Sequence, residues 1–348
     1  MSDDLTLIAD ATARILADLA DPQAVNAAPD QSWRAPLWQA LEEAGLTRAW
    51  VPEAQGGAGV PLSHGFEILR VSGHYACPVA LAETMLAGWC LSEAGLDVPS
   101  GVLAIAPMRG HDRLSVDDAG ALSGIARAVP FAAEAAQIIV VAEGQVMRFE
   151  PGSVTASPRR ADMGGERVDL RFESVVPAHV AAWPGGAAAL ERMGAVARAC
   201  QMTGALETAL HVTTGYTQER EAFGRKIAKF QAVQQNLARL AGEVAAALSA
   251  SGSAAETLET EPQDSDAAFL EIAAAKIRCG EAVETGAAIA HQAHGAIGWT
   301  QDYVLQRFTR RLWGWRDDFG TEADWAVRLG RHVAALGGDA LWPLMTSR

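Results

Sequence analysis

The sequence predicts a mainly α-helical protein in which a small antiparallel β domain separates an N-terminal helical domain from a C-terminal four-helix bundle. Three observations predict it. Alanine is frequent and aromatic residues are only 6% of the chain, which favours helix over sheet. Short β-type runs, separated by Gly, Pro and Asp, are confined to a stretch that begins near Pro99-Ser100-Gly101. Beyond Trp183-Pro-Gly-Gly186 helical periodicity returns and lasts to the end of the chain, in segments longer than ordinary globular helices. At 348 residues the chain has room for two or three domains, expected at 1–100, 101–182 and 187–348.

Each element follows from local pattern. Leu5, Ile8, Ala11, Ile15, Leu16 and Leu19 recur at helical spacing behind Asp3 and Asp4, acids suited to a first helical turn. Trp33 to Ala44 is a second amphipathic run, stopped by Gly45, and Pro52 to Gly59 is a glycine-rich turn. His64–His74 and Leu81–Ala94 complete the first helical group. Strands are expected at Val102–Ala106, Gln137–Val141, Gln145–Phe149 and Val168–Phe172. Long alanine-rich helices are expected at Ala187–Arg220, Ile227–Ser251, Asp264–His294, Tyr303–Trp315 and Glu322–Leu336, with the acidic run Thr257–Asp266 as a loop between two of them.

Composition narrows the function. The formal net charge is -14, so the chain lacks the electrostatic footprint of a nucleic-acid binder, and any anionic ligand needs a local basic patch. Cys77, Cys90, Cys200 and Cys279 are widely spaced, form no CxxC pair and have no His at zinc spacing, so they read as small reduced core residues. No metal site is expected. Met1-Ser-Asp-Asp has no basic n-region and no apolar run follows it, so neither a secretory signal nor a membrane span is expected, and the location reads as cytoplasmic.

The motifs that carry chemistry lie in the second half. Arg220-Glu-Ala-Phe-Gly-Arg-Lys-Ile is followed by Phe230-Gln231-Ala-Val-Gln-Gln and, later, by His294-Gly-Ala-Ile-Gly-Trp299. Near the start, Trp38-Gln-Ala-Leu-Glu-Glu-Ala-Gly45-Leu precedes Val51-Pro-Glu and Gly56-Gly-Ala-Gly59. In this order the motifs resemble those of the acyl-CoA dehydrogenases, and the resemblance spans essentially the whole chain, including the order helices, sheet, bundle. It implies FAD as cofactor, an acyl-CoA thioester as substrate, α,β-desaturation as reaction, and electron-transfer flavoprotein as acceptor.

The resemblance also assigns residues. Those matching Arg220, Phe223 and Gln231 touch the FAD of a neighbouring subunit, and Gln292, Gly295 and Gly298 fall where the adenosine end of FAD is held. The residue types suit this. A guanidinium fork binds two pyrophosphate oxygens at once, and glycine lets backbone approach a ligand closely. Read without the motif, Arg220 is equally a solvated cation at a helix end, and His291 and His294 are ordinary histidines in a helix-breaking turn. Arg307, Arg310, Arg311 and Arg316, interleaved with Trp313 and Trp315, offer a basic-aromatic stripe that would suit CoA phosphates, flavin or an ion-paired subunit interface.

Against this, the resemblance lacks its catalytic base. The reaction removes a weakly acidic α-proton and needs a positioned carboxylate. The family's usual glutamate directly precedes a Gly-Thr pair; here Phe319 precedes Gly320-Thr321. Branches that place the base on the first bundle helix put it around Gly194 or Ala195, which do not ionise. Asp317, Asp318, Glu191 and Glu322 are the nearby acids that could substitute, though each also reads as a surface acid or helix-start residue. The sheet region departs too. Ala104-Ile-Ala-Pro-Met-Arg-Gly-His-Asp112 and Ala128-Val-Pro130 stand where the family lines the flavin ring, and Pro130 removes a backbone donor. Residues serving a neighbour's FAD are kept and those serving the chain's own ring are lost. That pattern implies a subunit completing a homologous partner's active site in a dimer or dimer of dimers. Two alternatives stay open: a self-sufficient homo-oligomeric dehydrogenase with a relocated base, and a flavin-free binding protein on the same fold.

Overall fold

The computed structural model describes residues 3–28, 30–158 and 167–346. Met1 and Ser2 of the N-terminal run read above lie outside them. Five helices come first: α1 (Asp3–Leu19), α2 (Pro22–Ala27), α3 (Arg34–Glu43), α4 (Leu62–His74) and α5 (Leu81–Glu93). Local chemistry explains their ends. Asp21 caps α2 by accepting from the Gln23 and Ala24 N–H groups, with Pro22 opening the helix. Helix α5 is buried from Leu81 through Leu91, because the sheets cover one side and the other helices the rest.

The middle of the chain forms two four-stranded sheets. Strands β1 (Leu103–Ala106), β4 (Gln137–Ala142), β5 (Gln145–Phe149) and β8 (His179–Ala182) make one, in the order β1-β4-β5-β8. Strands β2 (Arg113–Val116), β3 (Leu122–Pro130), β7 (Arg167–Val175) and β6 (Thr155–Pro158) make the other, in the order β2-β3-β7-β6. All pairings are antiparallel except β1 with β4, which is parallel with Leu103 opposite Gln137. The four expected runs are β1, β4, β5 and β7. The other four carry weaker signals: β3 is interrupted by Gly124 and by two register shifts, and β6 is exposed throughout.

Long helices follow: α6 (Gly186–Glu219), α7 (Gln231–Thr260), α8 (Asp266–His294), α9 (Leu305–Asp317), α10 (Glu322–Leu336) and α11 (Gly338–Thr346). A small hairpin, β9 (Glu221–Ala222) with β10 (Arg225–Lys226), joins α6 to α7. Helix α7 extends through the first four residues of the run expected as a loop, which shrinks to residues 261–265. Inside the helix the Thr257 and Thr260 hydroxyls are satisfied by donating to the Ser253 and Glu256 carbonyls one turn back. Ser265 then caps α8, accepting from the Ala268 N–H. Glycine sets how closely α6 meets α4. A Cβ on Gly204 would overlap the Arg70 carbonyl, and one on Gly73 would overlap the Gln201 carbonyl, so the two backbones touch. The four cysteines are buried free thiols.

Candidate functional site

The sequence-assigned residues gather in two places. The first is the end of the bundle where α6 and α8 stop and α7 starts. Tyr216, in the last turn of α6, stacks on His294 at the end of α8 with ring centroids 4.3 Å apart. Its hydroxyl reaches the His294 carbonyl at 3.4 Å. The His294 Nδ1 lies 2.8 Å from the Ala290 carbonyl, so that nitrogen carries the proton and Nε2 accepts from the Tyr303 hydroxyl at 3.2 Å. This knot fixes the loop Gly295–Trp299. His291 stacks on Trp299 (3.8 Å), with Trp313 near both rings (5.8 and 5.9 Å), and burial together with the neighbouring His294 pulls its pKa down to about 4.

Arg220 caps α6 and is exposed; among the described residues it makes no side-chain hydrogen bond or ion pair. Phe223 and Gly224 are the two turn residues of the hairpin, both at positive φ (52° and 74°), the backbone a two-residue hairpin needs. A phenylalanine at positive φ is strained, and this one is 96% exposed. Arg225 lies over the Phe230 ring at 4.0 Å, and Arg225, Lys226 and Lys229 are exposed around Arg220. Here is the local basic patch that an acidic chain needs for an anion. Gln231 opens α7 and Gln292 lies in the last turn of α8, both exposed. Gly295 has φ 65° and open space where a Cβ would stand. Unpaired cations, an outward phenylalanine and bare backbone fit the pyrophosphate and adenosine of FAD.

The second place is the base position, where β1, α6 and the α9–α10 connection meet. Phe319 is 2% exposed at φ 55°. Its N–H donates to the Met108 carbonyl at 2.9 Å and its own carbonyl accepts from the Trp325 indole at 2.9 Å. The ring lies on Gly194, where a Cβ would stand 2.5 Å from it. The two positions the sequence singled out for a base therefore pack against each other. A cleft of about 360 Å³, lined by Pro107, Met108, Arg109, Ala187, Glu191 and Arg328 among others, ends on Phe319.

All four acids singled out as substitutes are held in ion pairs. Asp318 is fully buried and takes Arg167 through two bonds (2.7 and 3.0 Å) and Arg198 Nε at 3.0 Å. Burial pushes its carboxyl up, but Arg167, Arg198 and Arg109 outweigh it and hold it below the usual carboxylate range. Arg198 continues to Glu83 and Gln201, so one network ties α5, α6, β7 and the α9–α10 connection. Glu191 is gripped by both ends of Arg328 at 2.7 Å. Glu322 is gripped by Arg316, which overcomes burial and lowers its pKa. Asp317 is half-exposed and pairs with Arg109 at 3.3 Å. Apart from Arg316 with Glu322, six residues apart, these pairings could not be read from the sequence, because their partners lie far away along the chain.

The basic-aromatic stripe divides. Trp315 is core, Trp313 supports His291, Arg316 is paired to Glu322 and Glu284, and Arg310 is exposed. Arg307 and Arg311 turn inward. At Ala128-Val-Pro130, β3 bulges and Ala128 stands at φ 56°. Phe131 follows at φ 55°, and Arg311 lies over its ring at 5.9 Å.

Comparison with known proteins agrees with this architecture. Residues 187–316 match the model of the acyl-CoA dehydrogenase C-terminal domain. The chain is 28% identical over 312 residues to the acyl-CoA dehydrogenase IpdE2 of Mycobacterium tuberculosis, covering 88% of this chain and 90% of that protein. It is 27% identical to IpdE2 of Mycolicibacterium smegmatis, covering 96% and 100%. Among solved structures it resembles the ChsE4-ChsE5 complex of Mycobacterium tuberculosis, with TM-score 0.85, 21% identity and coverage of 96% and 98%. It also resembles the Tcur3481-Tcur3483 steroid acyl-CoA dehydrogenase, with TM-score 0.81, 26% identity and coverage of 96% and 98%. From its motifs through its fold to these relatives, the chain is similar along its length to the acyl-CoA dehydrogenases, and its residues 187–316 match the C-terminal domain of that family.

Proposed function

We propose that the chain is a subunit of an α,β-desaturating acyl-CoA dehydrogenase in which it completes the FAD site of a homologous partner, and that the partner supplies the catalytic carboxylate. The observation that carries this reading is the Phe319 ring packed on Gly194: two positions that could hold a base are both apolar and in contact. A carboxylate acts as general base only when it can take a proton near working pH. Asp318 is committed to Arg167 and Arg198, and Glu191 to Arg328.

In the shared site this chain binds and orients. Arg220 pairs with the pyrophosphate, Phe223 packs against the partner-bound cofactor, and Gln231, Gln292 and the bare Gly295 backbone take its polar groups. When bound, FAD would supply the hydride acceptor for the desaturation. The partner's carboxylate takes the α-proton of the acyl-CoA, and electron-transfer flavoprotein is the expected acceptor. The two-protein complexes named among the structural relatives support a two-chain assembly.

The test is flavin quantified per polypeptide. The chain expressed alone is expected to be colourless, and co-expression with a homologous base-bearing subunit to give near one FAD per pair. R220A in this chain should then lower FAD retention by about tenfold or more, from loss of a charge-assisted bidentate contact. One FAD per chain in the lone protein, with turnover, would overturn the reading and favour the homo-oligomeric enzyme. Of the four acids, Glu191 is the one that lines the cleft ending on Phe319, so E191Q would then be the first variant to assay.

A further inference from the structure

A cavity of about 660 Å³ opens where α1 and α2 lie over α4, α6 and the start of α9. Its lining includes neither the residues assigned to FAD nor those around Phe319. The volume falls within the range of small-molecule sites, roughly 300–1,000 Å³. Ala9 and Ala13, one turn apart on α1, are too short to fill the space and leave it open. Its walls are fixed. The Asn26 amide of α2 donates to the Gln301 carbonyl and accepts from Gln306 at 3.4 Å, which ties α2 to the loop before α9. Thr208 of α6 donates to the His74 carbonyl at the end of α4 at 3.0 Å.

The inner surface is apolar. Val71 and Phe308 are buried there, and Val212 and Val304 are half-buried. The inner polar groups satisfy one another. Arg70 is held by Glu67 at 2.6 and 2.8 Å and by Glu207 at 2.7 Å. Its Nη1 also donates to His74 Nε2 at 2.9 Å, so that nitrogen carries the lone pair. Burial keeps the His74 pKa below its ordinary value although Glu207 opposes it, so the ring adds no cation.

The outer polar groups are free. Among the described residues the side chains of Asp10 and Gln23 and the Tyr75 hydroxyl make no hydrogen bond or ion pair. Asp21 engages only Oδ1, in capping α2. The charge left uncompensated around the cavity is therefore negative: Arg70 faces two glutamates, and Asp10 and Asp21 have no cation. Burial raises the Tyr75 pKa, and the fields of Asp21 and Asp18 raise it further. An anion such as CoA is repelled here, whereas apolar walls under a carboxylate rim match a cation on an apolar body.

We propose that this cavity binds an organic ammonium ligand, its apolar body against Val71, Val212 and Phe308 and its head between Asp10, Asp21 and the Tyr75 hydroxyl. The site is separate from the proposed FAD contact and takes a ligand of opposite charge.

Differential scanning calorimetry of the purified full chain tests this at fixed ionic strength, and needs neither flavin nor a partner. The probes are tryptamine, tryptophol, indole-3-propionate and ethylammonium. The first three share an indole body and differ in the charge of the head, and the last has the head without the body. Tryptamine is expected to raise Tm saturably. Tryptophol should bind more weakly by about threefold or more, and indole-3-propionate and ethylammonium should leave Tm unmoved. D10N and D21N should each raise the tryptamine Kd by about threefold, as loss of a partly exposed ion pair does. Both variants should fold, since Asp10 is exposed on α1 and asparagine caps a helix as well as aspartate. A Tm that tryptamine does not move would overturn the proposal. Equal stabilisation by tryptophol or indole-3-propionate would overturn the charge preference on which it rests. Equal stabilisation by ethylammonium would mean general screening of an acidic surface, and unchanged tryptamine binding in the D10N/D21N double variant would place the ligand elsewhere; either result sinks the assignment.

Discussion

Asp318 shows how a single side chain can be indispensable without touching substrate. It is the one carboxylate that both fully buried arginines share. D318N keeps the shape and removes the charge that Arg167 and Arg198 share, although Arg198 keeps Glu83, and is expected to lower unfolding stability by about 3–5 kcal/mol in chemical denaturation. His291 makes a pH prediction. Its folded pKa, about 4, lies below the ordinary value of 6.5, so folding favours the neutral ring. Above pH 6.5 the ring is neutral in both states and contributes no slope. As pH falls from 6.5 towards about 4 the unfolded chain takes a proton that the folded one refuses, and stability declines. Tm measured between pH 7 and pH 4 should show this fall, and H291F should shallow it.

At the scale of elements, the α4–α6 crossing depends on two glycines. G204A places a methyl on the Arg70 carbonyl and is expected to destabilise by about 1–3 kcal/mol, although alanine is the better helix former. A G204A variant as stable as wild type would mean that α4 yields without cost. Helix α10 begins with a reciprocal cap, Thr321 accepting from the Asp324 N–H while Asp324 accepts from the Thr321 N–H. T321A should cost about 1 kcal/mol. The elements that could be read in the sequence were those whose pattern is local. Helix periodicity marked α6, α8, α9 and α10, and the continuous apolar run marked β4. Strand β3 was missed because its bulges break alternation, and the end of α7 because its threonines look like loop residues until their hydroxyls are seen to bond backward.

For the whole molecule, the same division holds for function. Motif residues around Arg220 could be located in the sequence because their spacing is local, and the apolar residue before Gly320-Thr321 could be read at Phe319. What the sequence hid was contact over distance: that Gly194 lies under Phe319 and that each candidate acid already has an arginine. The exposed Phe223 and Trp299 at the bundle end leave apolar surface that a partner would cover. Sedimentation velocity of the chain mixed with a homologous base-bearing subunit is expected to give a hetero-oligomer, and F223A to weaken it. Unchanged assembly in F223A would move the interface away from the hairpin.

The contact between Phe319 and Gly194 bears on descent as well as chemistry. A glutamate arriving at 194 meets an aromatic ring with no room to move, and one arriving at 319 must ionise beside Asp318 in the interior. Either substitution alone is expected to lower stability, which denaturation of G194E and F319E would show. Under the proposed shared-site function the packing would act as a ratchet: with both positions apolar and in contact, a return to independence from a partner would need both to change together.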